Sequence, residues 1–280
     1  MHLLLFRKYN EYRRCYMNNF VIMALIATLG TWFVTALGAA TVVLFKSTNK
    51  KMLNIMLGFA SGVMIAASFW SLLQPAIERA ESILKTPAYF VVTVGFLFGA
   101  TFMWVSDKTV TFARNKANNP KSQPNEKLQR IIMLILSITL HNIPEGLAVG
   151  VAFGALQNNF STENLLGAVS VAVGIGLQNF PEGAAIALPM KVATRSKHKS
   201  FLFGMGSGAV EPIAAIAGYI LASEVAVMQP WMLGFAAGAM IFVVAEDLIP
   251  DSNLSEYPHA GTWGVMFGFV LMMILDVALR

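Results

Sequence analysis

The run IIMLILSITLHNIPEGLAVGVAFGA, residues 131–155, decides how this chain is read. A bilayer is crossed by ~20 mostly apolar residues, and this run is long enough, yet its centre holds His141, Asn142 and Glu145. A second apolar run, residues 165–190, repeats the pattern: HNIPEG (His141 to Gly146) is answered by QNFPEG (Gln178 to Gly183). On a helix, positions i and i+4 share a face. His141 therefore points with Glu145, and Gln178 points with Glu182. An ionised side chain at bilayer depth costs at least ~2.5–3.5 kcal/mol even on lenient insertion scales. Two such acids in matched settings call for something positive between them, and a divalent cation is the simplest candidate.

Composition sets the class. Of the 280 residues, 56% are hydrophobic and 12% charged, against roughly 25% charged in soluble domains. Mean hydropathy is +0.62. This is an all-α integral membrane protein. A barrel is excluded because it needs ~10-residue alternating strands, whereas these apolar runs are continuous. The net charge of +5 does not indicate nucleic-acid binding, since the basic residues gather in short loops between apolar runs, as the positive-inside rule produces. A single cysteine, Cys15, excludes an internal disulfide and any CxxC site.

Eight transmembrane helices are expected, at about residues 20–45, 53–77, 88–113, 131–155, 165–190, 201–222, 231–249 and 262–279, forming one bundle over residues 20–280. Residues 1–19 read as an N-terminal extension without a signal-peptide pattern, and Met17 is a candidate start. Residues 114–129 form a polar linker. Loops one, three, five and seven carry thirteen of the twenty Lys and Arg residues. They are therefore placed in the cytoplasm, with both termini outside. Pro144 and Pro181 lie inside the fourth and fifth spans and are expected to kink them. Each removes one backbone N–H, freeing the carbonyls of Leu140 and Leu177. Non-helical backbone at this depth is tolerated where it lines a cavity or is buried in protein. Paired small residues recur (Gly58/Gly62, Gly95/Gly99, Gly204/Gly208, Gly234/Gly238, Gly264/Gly268) and predict close helix packing inside the protomer, with a dimer contact or sliding surface as the alternative.

If the fourth and fifth spans face each other, His141, Asn142, Glu145, Gln178, Asn179 and Glu182 converge. Imidazole suits zinc and iron, and carboxylate and amide oxygens suit harder cations. No thiolate lies in the spans, so a closed structural zinc site is excluded. Glu211, followed by Pro212 in the sixth span, is a third intramembrane acid able to complete a second cation position. Met64 is a candidate soft ligand among 16 methionines, most of which must pack. Glu78, Asp107, Glu246, Asp247 and Asp276 fall near span ends, where solvated termini are the ordinary explanation and acidic way stations the alternative.

The paired HNxPEG and QNxPEG motifs on successive spans, the eight-helix plan and the Glu-Pro of the sixth span resemble the ZIP family of divalent metal transporters, its bacterial GufA-like branch in particular, from about Met17 onward. The resemblance implies a binuclear mid-membrane site. Its first position would use His141, Glu145, Gln178, Glu182 and Met64. Its second would use Asn142, Asn179 and Glu211, with the motif glutamates shared. Where other members carry Asp, this chain has Asn179, and the neutral amide lowers the charge there. The resemblance further implies homodimers, metal movement into the cytoplasm, repeat-related halves and a four-helix block that shifts against a scaffold. The His-rich loop of some members is missing from residues 114–129.

The expected function is therefore uptake of a divalent cation (zinc, iron, manganese or cadmium) through the inner (plasma) membrane by alternating access, with no cofactor and no enzymatic role. The alternative is an intramembrane metal-dependent hydrolase using His141, Glu145 and Glu182 around zinc. Against it, zincins place two histidines on one helix as HExxH, and no second intramembrane histidine exists here. A proton-coupled carrier of an organic solute is a further alternative.

Overall fold

The computed structural model describes residues 2–44, 50–117, 126–253 and 257–278, with side chains described for residues 19–43, 50–112, 139–188, 190, 191, 194–253, 257 and 259–278. The chain forms α1 (His2–Leu44), α2 (Lys50–Ile83), α3 (Ala88–Ala117), α4 (Glu126–Ala155), α5 (Thr162–Thr194), α6 (Lys197–Glu224), α7 (Ala226–Asn253) and α8 (Pro258–Ala278). No strand occurs among the described residues. Helices are what hydrocarbon demands, because each segment must satisfy its own backbone hydrogen bonds. Seven of the eight, all but α4, are long and apolar enough over their described parts to cross a membrane. α4 runs unbroken through the fourth expected span, with side chains described only from Thr139.

The boundaries differ from expectation at the polar linker. α3 continues through Arg114 and Lys116 to Ala117, and α4 already begins at Glu126. Basic residues at a helix C-terminus and an acid at an N-terminus are both favoured by the macrodipole, which outweighs the polar composition used to draw the linker. Residues 118–125 lie outside the described residues, as does Leu279 of the eighth expected span. α1 is one helix from His2, so the N-terminal extension prolongs the first span. Pro144 and Pro181 sit within the continuous helices α4 and α5.

Two helices carry a π-helical segment, Ser68–Leu73 in α2 and Val244–Leu248 in α7, and each is followed two residues later by a proline, Pro75 and Pro250. π-bulges shift the facing of the residues beyond them and are frequent at functional sites. α6 is interrupted at Gly208 and Ala209 and resumes at Val210, the residue before Glu211.

Packing follows four main pairs: α1 with α5, α4 with α6, α2 with α8, and α3 with α7. Exchanging α1 with α6, α2 with α7, α3 with α8 and α4 with α5 turns each pair into another, and it also exchanges the two π segments. The paired glycines make these contacts. A Cβ at Gly62 would lie 2.0 Å from the Val265 carbonyl oxygen, and one at Gly238 would lie 1.9 Å from that of Phe96. The corresponding approaches of Gly99 to Phe235 and Gly268 to Phe59 are as tight. All five small-residue pairs thus pack inside the chain, as the packing reading expects.

Backbone approaches at glycine divide the helices into two groups. Gly146, Gly150 and Gly218 press α4 and α6 together, Gly38 and Gly183 press α1 and α5, and Gly204 joins α6 to α5. In the other group, the α2–α8 and α3–α7 contacts are joined by Gly261 of α8 against Ser252 of α7. Between the groups, the glycine most closely approached is Gly174 of α5, and it is approached by the flexible Met272 side chain.

Gly238→Val should therefore separate α3 from α7 and destabilise the protein by about 1–3 kcal/mol, the usual range for overpacking. Thermal unfolding followed by size-exclusion elution should show a lowered midpoint. Gly206→Ala, at a position with open space around it, should leave the midpoint unchanged.

Candidate metal centre

The motif residues come together where α4, α5 and α6 meet. His141, Asn142 and Glu145 project from α4, and Gln178, Asn179 and Glu182 project from α5. All six are buried, as is Glu211 of α6; Glu145, Gln178, Asn179 and Glu211 are wholly so. Gly146 permits this. A Cβ there would stand 2.4 Å from the Glu211 carbonyl oxygen, so only glycine lets α4 carry Glu145 against the turn of α6 that carries Glu211. Gly183 does the same for α5 against α1, where a Cβ would meet the Thr35 carbonyl oxygen at 2.1 Å.

The first group of side chains centres on Glu145. The Gln178 Nε2 donates to Glu145 Oε1 at 2.6 Å. The other Glu145 oxygen, Glu182 Oε2 and Gln178 Oε1 are buried and receive no protein donor. A buried acceptor left without a donor costs about 1–3 kcal/mol, and more when charged. Three such oxygens on two facing helices, two of them from carboxylates, form an acceptor-only set suited to a cation. Glu145 is within electrostatic reach of both Glu182 and Glu211, so the three acids share one region.

The second group centres on Glu211. The Asn179 amide donates to Glu211 Oε1 at 2.9 Å and to Oε2 at 3.0 Å. The Thr31 hydroxyl of α1, which also has the Thr28 carbonyl oxygen within 3.0 Å, makes its shorter contact to Oε2 at 2.6 Å. The Asn142 amide donates to the Ser207 carbonyl oxygen at 3.0 Å. Here the carboxylate is satisfied on both oxygens.

His141 also reaches α7. Its Nε2 lies 3.5 Å from Asp247 Oδ2, on the π-helical segment of α7. Asp247 is one of the acids that the sequence allowed as either a solvated end or a way station, and the structure joins it to the motif histidine. Met64 is fully buried in the main apolar cluster of the bundle. Among the described residues no three of His, Cys, Asp and Glu stand close enough to hold an ion by themselves; the amides of Gln178 and Asn179 lie against the carboxylates in the arrangement seen.

At the C-terminal end of α4 a cavity of about 520 Å³ opens between α2, α4, α5, α7 and α8, lined in part by Gln74, Glu78, Arg79, Glu163, Ser170 and Asp276. Asp276 Oδ1 accepts from the hydroxyls of Ser71 and Ser170, each at 2.6 Å. The Arg79 guanidinium donates to Gln229 Oε1 at 2.7 Å.

The family model described as "ZIP Zinc transporter" matches residues 17–131 and 121–276. The chain belongs to the ZIP family. It is 37% identical to Zinc transporter ZIP11 of Xenopus tropicalis, over 92% of this chain and 98% of that protein. It is 33% identical to Zinc transporter GufA of Myxococcus xanthus, over 91% and 98%, and 31% identical to Zinc transporter ZupT of Clostridium perfringens, over 92% and 96%.

Within this ZIP chain, sequence reasoning found every acid of the converging set but missed α1. Thr28, Thr31 and Thr35 recur at i, i+3 and i+7, the spacing of one helix face. That row of hydroxyls on an otherwise apolar run was the available signal. Thr31 serves Glu211, and Trp32 Nε1 donates to the Met205 carbonyl oxygen at 2.7 Å, fixing α1 against the first part of α6.

Cysteine labelling tests the geometry. In a Cys15→Ser background, Asp247→Cys should react with a water-soluble maleimide, because the Asp247 side chain is 36% exposed. Glu145→Cys, at a position with no exposure, should stay unlabelled until the protein is denatured. Mass spectrometry of the intact protein reads both.

Proposed function

We propose that this chain transports divalent cations, zinc foremost, into the cytoplasm by alternating access, as a transporter and not an enzyme. The observation that carries the reading is the set of buried acceptors with no donor, Glu145 Oε2, Glu182 Oε2 and Gln178 Oε1. They sit on the two helices that bear the paired motifs, in a chain whose relatives are named zinc transporters. A dication between Glu145 and Glu182 is matched by two negative charges, and the carboxylates replace the water that the ion sheds.

In this reading all eight helices span a plasma membrane, both termini lie outside, and the protein works as a homodimer. Pro144 and Pro181 bend α4 and α5 at the site and turn the carbonyls of Leu140 and Leu177 towards the ion. The ion enters from the cavity beside Asp276, binds Glu145, Glu182 and Gln178, gains His141 and Met64, and leaves past Asp247. Iron, manganese and cadmium suit the same donors. The division of close packing supports a moving block. α1, α4, α5 and α6 are locked together by backbone contact, whereas side chains make the links to α2, α3, α7 and α8. Those links include His141 with Asp247, Ser170 with Asp276, and the Gln229 amide donating to the Ala222 carbonyl oxygen. Side-chain contacts exchange partners at less cost than glycine-backed helix contacts.

Flux of zinc or cadmium into proteoliposomes tests this directly. Glu145→Ala and His141→Ala should each slow uptake at least about tenfold, as removal of a ligand or its support does in metal sites. Carboxylates bind a dication only when deprotonated, so acid on the entry side should slow wild-type uptake. Unchanged flux in both variants contradicts the assignment. Turnover of a lipid or peptide without any flux would favour the hydrolase.

A further inference from the structure

We propose that the chain carries one dication per transport cycle, because Thr31 and Asn179 hold Glu211 where a second ion would otherwise bind. The inference rests on the transport reading above and goes beyond it by fixing the ion count and naming the residues that set it.

Glu211, though it shares its region with Glu145 and Glu182, is held by neutral donors on both of its oxygens. The Thr31 hydroxyl donates to Oε2, and the Asn179 amide nitrogen spans both oxygens while also donating to the Thr31 carbonyl oxygen at 3.2 Å. Glu211 and Asn179 are fully buried, and Thr31 is 3% exposed. Three acceptors thus fix the direction of the Asn179 amide. Turning it over, to offer its oxygen to an ion, would set that oxygen against a carboxylate and a carbonyl and would lose every one of these bonds. Packing agrees. A Cβ at Gly208 would already be 3.1 Å from Glu211 Oε1, 3.1 Å from Thr35 Oγ1 and 3.0 Å from Trp32 Cδ1. Glu211 is pressed into the wall that α1 makes, whereas Glu145 and Glu182 each keep an oxygen without a donor.

Charge gives the same answer. Glu145 and Glu182 together balance one dication. Against the three acids one dication leaves one negative charge and two leave one positive charge. Thr31 and Asn179 already donate to Glu211 and so meet the extra negative charge, whereas an extra buried positive charge is strongly unfavourable. The acceptors still open near the second position, Oδ1 of Asn142 and Oδ1 of Asn179, are neutral amide oxygens and supply no charge. An aspartate at residue 179 would supply the missing negative charge and would remove the amide that holds Glu211. The clasp also joins α1, α5 and α6, all within the group that moves together, so transport does not require it to break. Thr31 is accordingly a positioning residue: it touches Glu211 and not the ion.

The test counts bound metal. Purified full-length protein is dialysed to equilibrium against excess cadmium, and metal per protomer is read by elemental mass spectrometry. Glu145→Gln/Glu182→Gln protein supplies the background, and size exclusion confirms that each variant is folded. Above that background the wild type should bind one cadmium, and Glu211→Gln should still bind one. Asn179→Asp and Thr31→Val/Asn179→Asp should each bind two. Two cadmium ions in the wild type, loss of the single ion in Glu211→Gln, or one ion in folded Asn179→Asp would overturn the proposal while leaving the transport reading standing. Equal cadmium in wild type and background would overturn the metal site itself, and the transport reading with it.

Discussion

The whole arrangement depends on buried carboxylate oxygens that no protein donor reaches. Glu145 and Glu182 have no place in a bundle surrounded by hydrocarbon unless their charge is met. Protein groups meet only part of it: Gln178 serves one oxygen of Glu145, and one oxygen of each acid receives no donor. Glu211, on α6 in the same region, shows the contrast. There two side chains give each carboxylate oxygen a donor. The proposed cation site rests on this contrast between one satisfied acid and two with an open oxygen.

Glycine makes that region possible. Each acid sits on a helix that touches its neighbour's backbone, and a single methyl group at Gly146, Gly183 or Gly218 would part the helices. The same device, repeated between α2 and α8 and between α3 and α7, builds the other half of the bundle. The halves then meet through side chains. Met272 fits over Gly174, and a few polar pairs cross the boundary. The glycine-backed seams are thus tighter than those where Met272 and the polar pairs lie.

Much of this was legible in the sequence. Continuous apolar runs gave the helices, because hydrocarbon leaves a spanning segment no other way to pair its backbone. The repeated HNIPEG and QNFPEG put the polar groups of each motif on one face of its helix, because i and i+4 share a face. Their convergence stayed conditional on the two helices facing each other, which the Gln178–Glu145 bond fulfils. Three things were not legible. The role of Thr31 was hidden because a hydroxyl in an apolar helix ordinarily bonds back to its own backbone, as the Thr28 hydroxyl does to the Ala24 carbonyl oxygen at 2.8 Å, and Thr31 has such a carbonyl, that of Thr28, at 3.0 Å besides Glu211. The meeting of Asp247 with His141 depends on a π-helical segment, which changes the facing of residues without a composition signal. The pairing of helices was only hinted at by glycine spacing, since spacing says that a helix approaches something closely and not which helix it approaches.

Anomalous scattering from crystals soaked in cadmium would test the central claim most directly. The account predicts one strong peak between α4 and α5, within coordination distance of both Glu145 and Glu182, with Glu211 still bonded to Thr31 and Asn179. Glu145 and Glu182 turned apart, each bonded to its own protein partner and with the anomalous density elsewhere, would contradict it.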